Sequence, residues 1–594
     1  MSMQPRLWPE PDPQVAAAVA SAYRGKRGKQ APPLAVVIRD RLGQWLADEQ
    51  FASVFGVRGA PGISPSQLSL VTVLQKVEKM TDRAAADAVR SRLDWKYLLG
   101  LPIGDAGFDH TVLSEYRGKV AAGGTERVVF DALLAKLAGE GLVGAGGKQR
   151  TDSTHVIAAV ATLNRLELVG ESVRAAVEAL AVAHPRWVSQ ALCVDDWMRR
   201  YGEPMTSWRP PVSQAKREEL ALAYARDGYA LLEAVADPAC PPWLAEIPVV
   251  QTLRTVLVQN YTRTITGGRE VVKRRESEPE GDGLPPGHLR IISPYDTDAR
   301  WGVKRDMFWP GYKVHITETC DDEPACTCPP GHSVPGQAVD QRQRRHAGGC
   351  AATRPNLITN VATMDATVSD AVMNTDIHTA LARRGLLPTR HYEDSGYGST
   401  QAVIDAWRQF GVVLMMPVLG DTSAAARSAS PYERARFTFD HDKAQGICPQ
   451  GQASSSWSPT TQRGREVIVV KWAKNTCRPC PFRDQCTRSA RGYRQITIGP
   501  AEFHQVQQQA RADEKTASWQ ADYNRRAGIE GTISQAARAG ARRASYRGLA
   551  KTRLEHLTMA VALNLVRLEA HWNGHPLDRR RTTHLARVDL GLAA

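Results

Sequence analysis

The sequence predicts a multidomain α/β protein with a mixed sheet flanked by helices. An all-α region precedes the sheet, and one helical and one β-rich insertion interrupt it. Three observations support this class. A chain of 594 residues is too long for one hydrophobic core. Apolar residues recur at helical spacing before residue 140 and between 161 and 290, whereas short alternating or continuous apolar runs indicate strands between 291 and 419.

The composition favours a polyanionic partner. Lys and Arg number 76 against 62 Asp and Glu, a net charge of +14. No basic amphipathic helix with a Trp, Phe or Leu face is evident, so nucleic acid is preferred over a membrane surface. No apolar run approaches the ~18 residues of a membrane helix, and Met1–Pro13 lacks the order of a signal peptide. A cytoplasmic protein is therefore expected.

The N-terminal region is predicted to be a set of short helices. Ser64 can cap a helix that begins at Pro65, a second helix starts at Thr81-Asp82, and a third starts at Asp109 or Thr111. Short helices with tight connections are typical of helix-turn-helix bundles. In that arrangement Arg117 and Lys119 would face DNA. The alternative is a helical packing or dimerisation domain.

The order of elements between 291 and 420 indicates the sheet topology. Strands are predicted around Asp152 and at Tyr312–Thr317, Leu357–Thr363, 391–396 and Val412–Met416, with helices at Val372–Arg384 and Ala402–Phe410. Strand, strand, strand, helix, strand, helix, strand is the order of an RNase H-like sheet.

Two aspartates of the predicted sheet are candidate metal ligands. Asp152 lies in Thr-Asp-Ser-Thr, where an acid within a strand is costly unless it is paired or holds a metal. The competing interpretation is a helix N-cap. Asp394 precedes Ser-Gly-Tyr, and its competing interpretation is a turn aspartate. By strand alternation Glu393 points to the opposite face. Asp296 and Asp298 rank lower, because an Asx-turn or a pair with Arg300 explains them.

A third acid lies in Tyr523-Asn-Arg-Arg-Ala-Gly-Ile-Glu530. Read as one helix, this stretch projects Tyr523, Arg526 and Glu530 from a single face. Such a face suits a phosphodiester: a carboxylate for a metal, a guanidinium for phosphate oxygens and a phenol for a hydrogen bond. The alternative is a solvated face with an Arg–Glu pair.

These motifs resemble those of DDE transposases of bacterial insertion sequences. The resemblance rests on Tyr-x-x-Arg-x-x-x-Glu, Asp152-Ser-Thr and Asp394-Ser-Gly-Tyr, in that family's order. The pattern Ser-Pro … Thr-Asp-Arg … Asp-Trp-Lys-Tyr-Leu-Leu-Gly-Leu resembles the insertion-sequence-1182 family.

The resemblance implies an RNase H-like catalytic domain in which Asp152, Asp394 and Glu530 hold two Mg²⁺ ions. The implied reaction is cleavage at the element ends and transfer of the 3′-hydroxyl into target DNA. It also implies phosphate contacts by Arg526 and Tyr523, a homodimer on DNA and an association with the nucleoid. Two alternatives remain: a catalytically inactive DNA-binding derivative, and an RNase H-like nuclease that nicks without joining.

Cations follow the third acid closely. Arg538, Arg542 and Arg543 are predicted to contact DNA phosphates, which provide affinity without sequence choice. Many transposases with this signature carry a Lys seven residues after the Glu. Here that position is Ala537, so the role is absent or has shifted to Arg538.

The cysteines form two clusters, which in a cytosolic protein indicate metal more than disulfides. Cys477-x-x-Cys480, with Cys486 and Cys448, provides a candidate tetrahedral zinc site, and free thiols are the alternative. The second cluster is Cys320, Cys326, Cys328 and Cys350, with His332 and His346. Its irregular spacing leaves open whether it binds a second zinc or is a mobile surface insertion.

The predicted domains follow from these assignments. They are a disordered lead at 1–35, a helix-turn-helix-like DNA-binding domain at 36–140, an RNase H-like core at 141–160 and 291–419, a helical insertion and linker at 161–290, a β-rich insertion with the candidate zinc site at 420–499, C-terminal helices completing the core at 500–572, and a basic tail at 573–594.

Overall fold

The N-terminal part of the protein is helical, as predicted. The computed structural model describes residues 8–23, 32–56, 62–207, 210–267, 269–276, 283–304, 306–320, 354–418, 428, 430–462 and 464–573. Its first helices are Pro13–Tyr23, Leu34–Leu42, Pro65–Glu78, Asp82–Ser91, Leu93–Leu99, Thr111–Ala122 and Val128–Gly139. The hydroxyls of Ser64 and Thr81 accept from backbone N–H groups in the first turns, which confirms both predicted helix starts.

A helical insertion follows the first strand, β1 (Lys148–Ile157). It has an apolar core of its own and ends in a two-stranded ribbon, which the sequence did not predict. Its helices are Arg165–Ala183, Pro185–Ala191, Val194–Tyr201, Gln214–Ala236 and Pro248–Asn260, and its strands are β2 (Tyr261–Thr266) and β3 (Arg269–Arg274).

The central sheet consists of β1 and five later strands. These are β4 (Arg300–Lys304), β5 (Met307–Thr319), β6 (Ile358–Asp365), β7 (Arg390–Tyr392) and β8 (Val413–Met415), with helices Met373–Arg383 and Thr400–Phe410 between the last three. The strand order is β4-β5-β1-β7-β8, and β6 also pairs with β5. β5 is antiparallel to β1, β4 and β6, whereas β1, β7 and β8 are parallel. This mixed α/β sheet confirms the predicted class and is consistent with an RNase H-like domain.

A smaller β-rich unit follows. Its elements are β9 (Thr438–Asp440), β10 (Gln445–Ile447), β11 (Ser456–Gln462), β12 (Arg465–Lys471), the short helices Lys474–Cys477 and Arg483–Cys486, and β13 (Gln495–Ile498). Its strands pair with one another and not with the central sheet. A small core containing Phe437, Val470 and Trp472 holds this unit together.

The last helices cover the sheet and join it to the N-terminal region. They are Ala501–Asp513, Ala517–Tyr523, Ile529–Arg538 and Leu549–Trp572. The Leu549–Trp572 helix is buried along most of its length, in one core shared with the sheet and the N-terminal helices. Lys76 and Glu555 form an ion pair of 2.8 Å across this contact. The N-terminal helices therefore also brace the sheet, while the domain boundaries themselves stay predictions.

Every helix in the described ranges is too short or too polar to cross a lipid bilayer.

Candidate active site

Two of the predicted acids are level with each other on neighbouring parallel strands. Arg150 of β1 pairs with Tyr392 of β7. Asp152 lies two residues beyond Arg150 within β1, and Asp394 lies two residues beyond Tyr392, just past the end of β7, so the two residues are level with each other. Burial raises the pKa of Asp152, and the nearby negative charge of Asp394 raises it further. Close carboxylates that are costly to ionise are typical of a cation site.

A cleft of about 920 Å³ opens beside Asp152. Glu530 lines the same cleft from the first turn of the helix Ile529–Arg538, and its side chain is 69% exposed. Four cations also line it: Lys304, Lys313, Arg538 and Arg542. A cleft lined by carboxylates together with four cations suits a polyanionic substrate.

Arg526 lies between two of the acids. Its Nη2 atom is 3.7 Å from Asp152 Oδ2, and its Nη1 atom is 3.5 Å from Glu530 Oε1. Its buried Nε–H has no hydrogen-bond partner among the described residues. The guanidinium therefore occupies the space that the first and third acids share, and it screens their mutual repulsion.

The stretch from Tyr523 to Glu530 is not one continuous α-helix, so this part of the prediction is wrong. One helix ends at Tyr523, a 3₁₀ segment spans Asn524–Gly528, and the next helix begins at Ile529. The cause is Arg150, whose Nη1 donates to the carbonyl of Arg525 at 2.8 Å. In an α-helix that carbonyl would accept from the N–H of Ile529. A Cβ on Gly528 would lie 1.9 Å from Arg150 Nη1, so any larger residue there would have to displace the Arg150 guanidinium from its partners.

Tyr523 lies beside the second acid. Its hydroxyl donates to the carbonyl of Glu393 at 3.0 Å, and its ring stacks on Trp519 with centroids 4.7 Å apart. Glu393 itself is fully buried, and burial raises its pKa well above the ordinary value. It points into the core, whereas Asp394 is half-buried, as strand alternation predicts.

The structure adds an acid that the sequence did not single out. Asp370 lines the cleft, accepts from Lys313 Nζ at 2.9 Å and from the Ser153 hydroxyl at 3.2 Å. It lies in a short 3₁₀ segment before a helix, where an aspartate indicates only a helix start. Its proximity to Asp152 results from the tertiary fold, which no local signal reveals.

A buried ionic network fixes the helix of Glu530 to the sheet. Glu318 of β5 is fully buried and accepts from Arg150 Nε at 2.7 Å and Arg567 Nη1 at 2.8 Å. It also accepts from the hydroxyl of Thr532, two residues after Glu530. Because Arg150 binds the carbonyl of Arg525 as well, the network holds both sides of the third acid.

The competing acids Asp296 and Asp298 have structural partners. Asp296 is buried and accepts from the Tyr312 hydroxyl at 2.5 Å and from the N–H of Gly548 at 3.1 Å. It also accepts from the N–H of Ala299, three residues on, so the local bond that forms is not the predicted two-residue Asx-turn. Asp298 accepts from Leu549 N at 3.0 Å. The two aspartates hold the start of the last helix, and the alternative pair with Arg300 does not form.

The predicted DNA contacts divide into two groups. Arg538, Arg542 and Arg543 are exposed, and the first two line the cleft. Arg117 is 5% exposed, forms an ion pair with Asp82 and lies 5.0 Å from the ring of Tyr546. The prediction that it faces DNA is therefore wrong. Lys119 is half-buried over the ring of Phe55, and its DNA contact stays a prediction.

The four cysteines of the β-rich unit converge. Cys448, Cys477, Cys480 and Cys486 line one cavity of about 50 Å³. Burial raises the pKa of Cys486; Arg494 opposes this rise, and the other three thiols add to it. Of the second cluster, Cys320 is buried beside Tyr392 and Met415. Cys326, Cys328 and Cys350, with His332 and His346, lie outside the described residues.

As the side chains stand, no group of three or more His, Cys, Asp or Glu residues in the described ranges is arranged to hold a metal ion. In the cleft, the guanidinium of Arg526 stands between Asp152 and Glu530. The donor types still match: carboxylate oxygens suit Mg²⁺, and four thiols suit Zn²⁺.

Two family models match the chain. One, described as a transposase domain, matches residues 29–119, and the other, described as a transposase DDE domain, matches residues 447–569. These two matches indicate a DDE-type transposase of insertion-sequence type. That family implies DNA as a partner. No curated protein and no solved structure matches it significantly. The DDE match to this transposase contains Glu530 but neither Asp152 nor Asp394. Membership of the insertion-sequence-1182 family stays a prediction.

Proposed function

We propose that this transposase cuts DNA at the ends of its element and joins the freed 3′-hydroxyl to target DNA, with Mg²⁺ held by Asp152, Asp394 and Glu530. The observation that carries the proposal is convergence. Three acids separated by more than a hundred residues come near one another: Asp152 and Glu530 line one cleft, and Asp394 is level with Asp152 on the neighbouring strand side.

The carboxylates suit a divalent cation. Asp152 is largely buried, which destabilises its charge, and a bound cation would reverse that penalty. When bound, Mg²⁺ supplies Lewis-acid activation and charge neutralisation for in-line phosphoryl transfer. Binding requires Arg526 to leave the space between Asp152 and Glu530, and the phosphate of the substrate is a stronger partner for its guanidinium.

The cleft walls account for DNA binding. Arg538 and Arg542 would contact phosphates near the acids, with Arg543 beside them. Arg526 would neutralise charge on the scissile or flanking phosphate, and Tyr523 would position it. The dimer on DNA and the association with the nucleoid belong to the same proposal.

A structural zinc ion in the β-rich unit is a separate part of the proposal. Cys448, Cys477, Cys480 and Cys486 would hold it, and it would tie the two short helices to the strand β10. Four thiols around one small cavity support this assignment, because thiols that bind no metal have no reason to lie close together.

A cleavage and joining assay tests the catalytic proposal. The substrate is a duplex built from the DNA that flanks the gene, with Mg²⁺ and a supercoiled target plasmid. Asp152→Asn, Asp394→Asn and Glu530→Gln should each lower joining at least about 1,000-fold while DNA affinity is kept. The exposed Glu115→Gln is the matched control. Wild-type joining by any of the three variants would refute the assignment of that residue, and nicking without joining would leave a nuclease.

A further inference from the structure

A β-ribbon projects from the helical insertion. β2 and β3 pair from Tyr261↔Arg274 to Thr266↔Arg269 and form a sheet of their own. One face packs on the helix Gln214–Ala236: the Tyr261 hydroxyl donates to the carbonyl of Ala221, and Arg263 lies over the ring of Tyr229. Nothing in the catalytic proposal uses this ribbon.

The outer half of the ribbon extends beyond that helix. Ile265 belongs to the packed face by alternation, yet it is 81% exposed. Its cross-strand neighbour Glu270 is likewise exposed, although it pairs with Arg263 at 2.8 Å. An isolated ribbon exposed on both faces is unfavourable unless a partner covers it.

The face away from the helix has a distinct composition. Cross-strand pairing places Thr262 opposite Lys273, Thr264 opposite Val271 and Thr266 opposite Arg269. These six side chains, which we call the ribbon face, are hydroxyls, two cations and one valine. The ribbon face carries no carboxylate. Arg269 and Lys273 are exposed and make no hydrogen bond or ion pair with other described residues.

We infer that the ribbon face binds the backbone of double-stranded DNA. Two strands about 4.8 Å apart fit a major groove about 12 Å wide. Arg269 and Lys273 are four residues apart on the same strand, or about 13 Å, so in a ribbon that lies along the groove they can reach two separate phosphates of one wall. Threonine hydroxyls and cations are typical phosphate contacts. The inference rests on the proposed action on DNA and adds a binding surface outside the cleft.

Equilibrium binding to a 40-base-pair duplex tests the inference. Affinity of the full-length protein is measured by fluorescence anisotropy between 50 and 300 mM KCl. Each lost phosphate contact should lower the slope of log K against log salt by about 0.9. The double variant Arg269→Ala/Lys273→Ala should therefore lower the slope by about 1.8 and the affinity about 10- to 30-fold at 0.15 M KCl.

Controls separate this surface from other effects. Arg186→Ala/Lys216→Ala removes two exposed cations of the same insertion outside the ribbon and should leave the slope unchanged. The charge-preserving Arg269→Lys/Lys273→Arg should restore binding. Thermal melting and light scattering of each variant report folding and oligomeric state.

The outcomes are distinct. An unchanged slope in the ribbon double variant, or a loss equal to that of the control, overturns the inference. A loss of dimer with DNA affinity kept would show that the ribbon binds a second copy of the chain and would also overturn it. The catalytic proposal is tested separately. In the Asp152→Asn background, the ribbon double variant should weaken DNA binding as much as it does in the wild type, although Asp152→Asn protein does not join DNA.

Discussion

Replacing Glu318 with alanine should loosen the helix that carries Glu530. Glu318 is fully buried and accepts hydrogen bonds from Arg150, Arg567 and Thr532. Its removal leaves two guanidinium groups, whose side chains are each 11% exposed, without their counter-charge.

The size of the effect follows from that burial. Removing one partner of a buried ion pair costs about 3–5 kcal/mol, mostly because the remaining charge is uncompensated. The loss falls on the contact between the sheet and the helix Ile529–Arg538, through Thr532 and through the Arg150 contact with the Arg525 carbonyl. If that contact opens as a unit, its amides should exchange about 150- to 5,000-fold faster.

Hydrogen exchange with mass spectrometry measures this directly. Peptides covering 525–538 should lose protection in Glu318→Ala, and DNA joining should fall with them. The exposed Glu115→Ala is the control. The triple variant Glu318→Leu/Arg150→Met/Arg567→Met, which removes every charge of the network, should recover most of the protection. Unchanged exchange in Glu318→Ala would refute the idea that this network holds the third acid.

Three further predictions concern other sites. Burial lowers the pKa of His556 to about 4, so neutral His556 contributes about 3 kcal/mol to stability above pH 6.5, and this contribution is lost as the pH falls towards 4. In urea unfolding between pH 4 and 7, the free energy of unfolding of His556→Gln should therefore depend less on pH than that of the wild type. An equally steep pH dependence would contradict this. Gly528→Ala places a Cβ against Arg150, so it should lower the free energy of unfolding by about 1–3 kcal/mol and DNA joining at least tenfold. The Cβ of Gly531→Ala meets open space, so this variant should keep both stability and joining. Thermal melting and joining assays on the two variants check this, and equal behaviour of the two would contradict it. Purified protein should contain one zinc per chain by atomic absorption, and Cys477→Ser should lose it; zinc-free wild-type protein would rule the site out.

The sequence predicted the features that local patterns determine. Strand alternation, helix caps and the order of elements gave the mixed α/β class, and alternation separated Asp394 from Glu393. The convergence of Asp152 and Asp394 could be expected once both strands were placed in one sheet. These signals lie within a few residues of the elements that they predict.

The features that the sequence did not reveal depend on distant partners. The 3₁₀ break before Glu530 exists because Arg150 takes a carbonyl 375 residues away along the chain. Arg117 is buried because Asp82 and Tyr546 enclose it. The β2–β3 ribbon is rich in Thr and Arg and mostly exposed, so it lacks the apolar alternation that indicates a strand.

The central claim is that three acids form one cation site in this transposase. When Fe²⁺ replaces Mg²⁺, ascorbate and peroxide make it cleave the polypeptide close to the metal ligands. The cut positions in the DNA-bound protein therefore map the residues that hold the cation. The account predicts cuts near Asp152, Asp394 and Glu530 together, all suppressed by excess Mg²⁺ and all weakened in Asp152→Asn. Cuts confined to the two aspartates, with the chain around Glu530 intact, would contradict it.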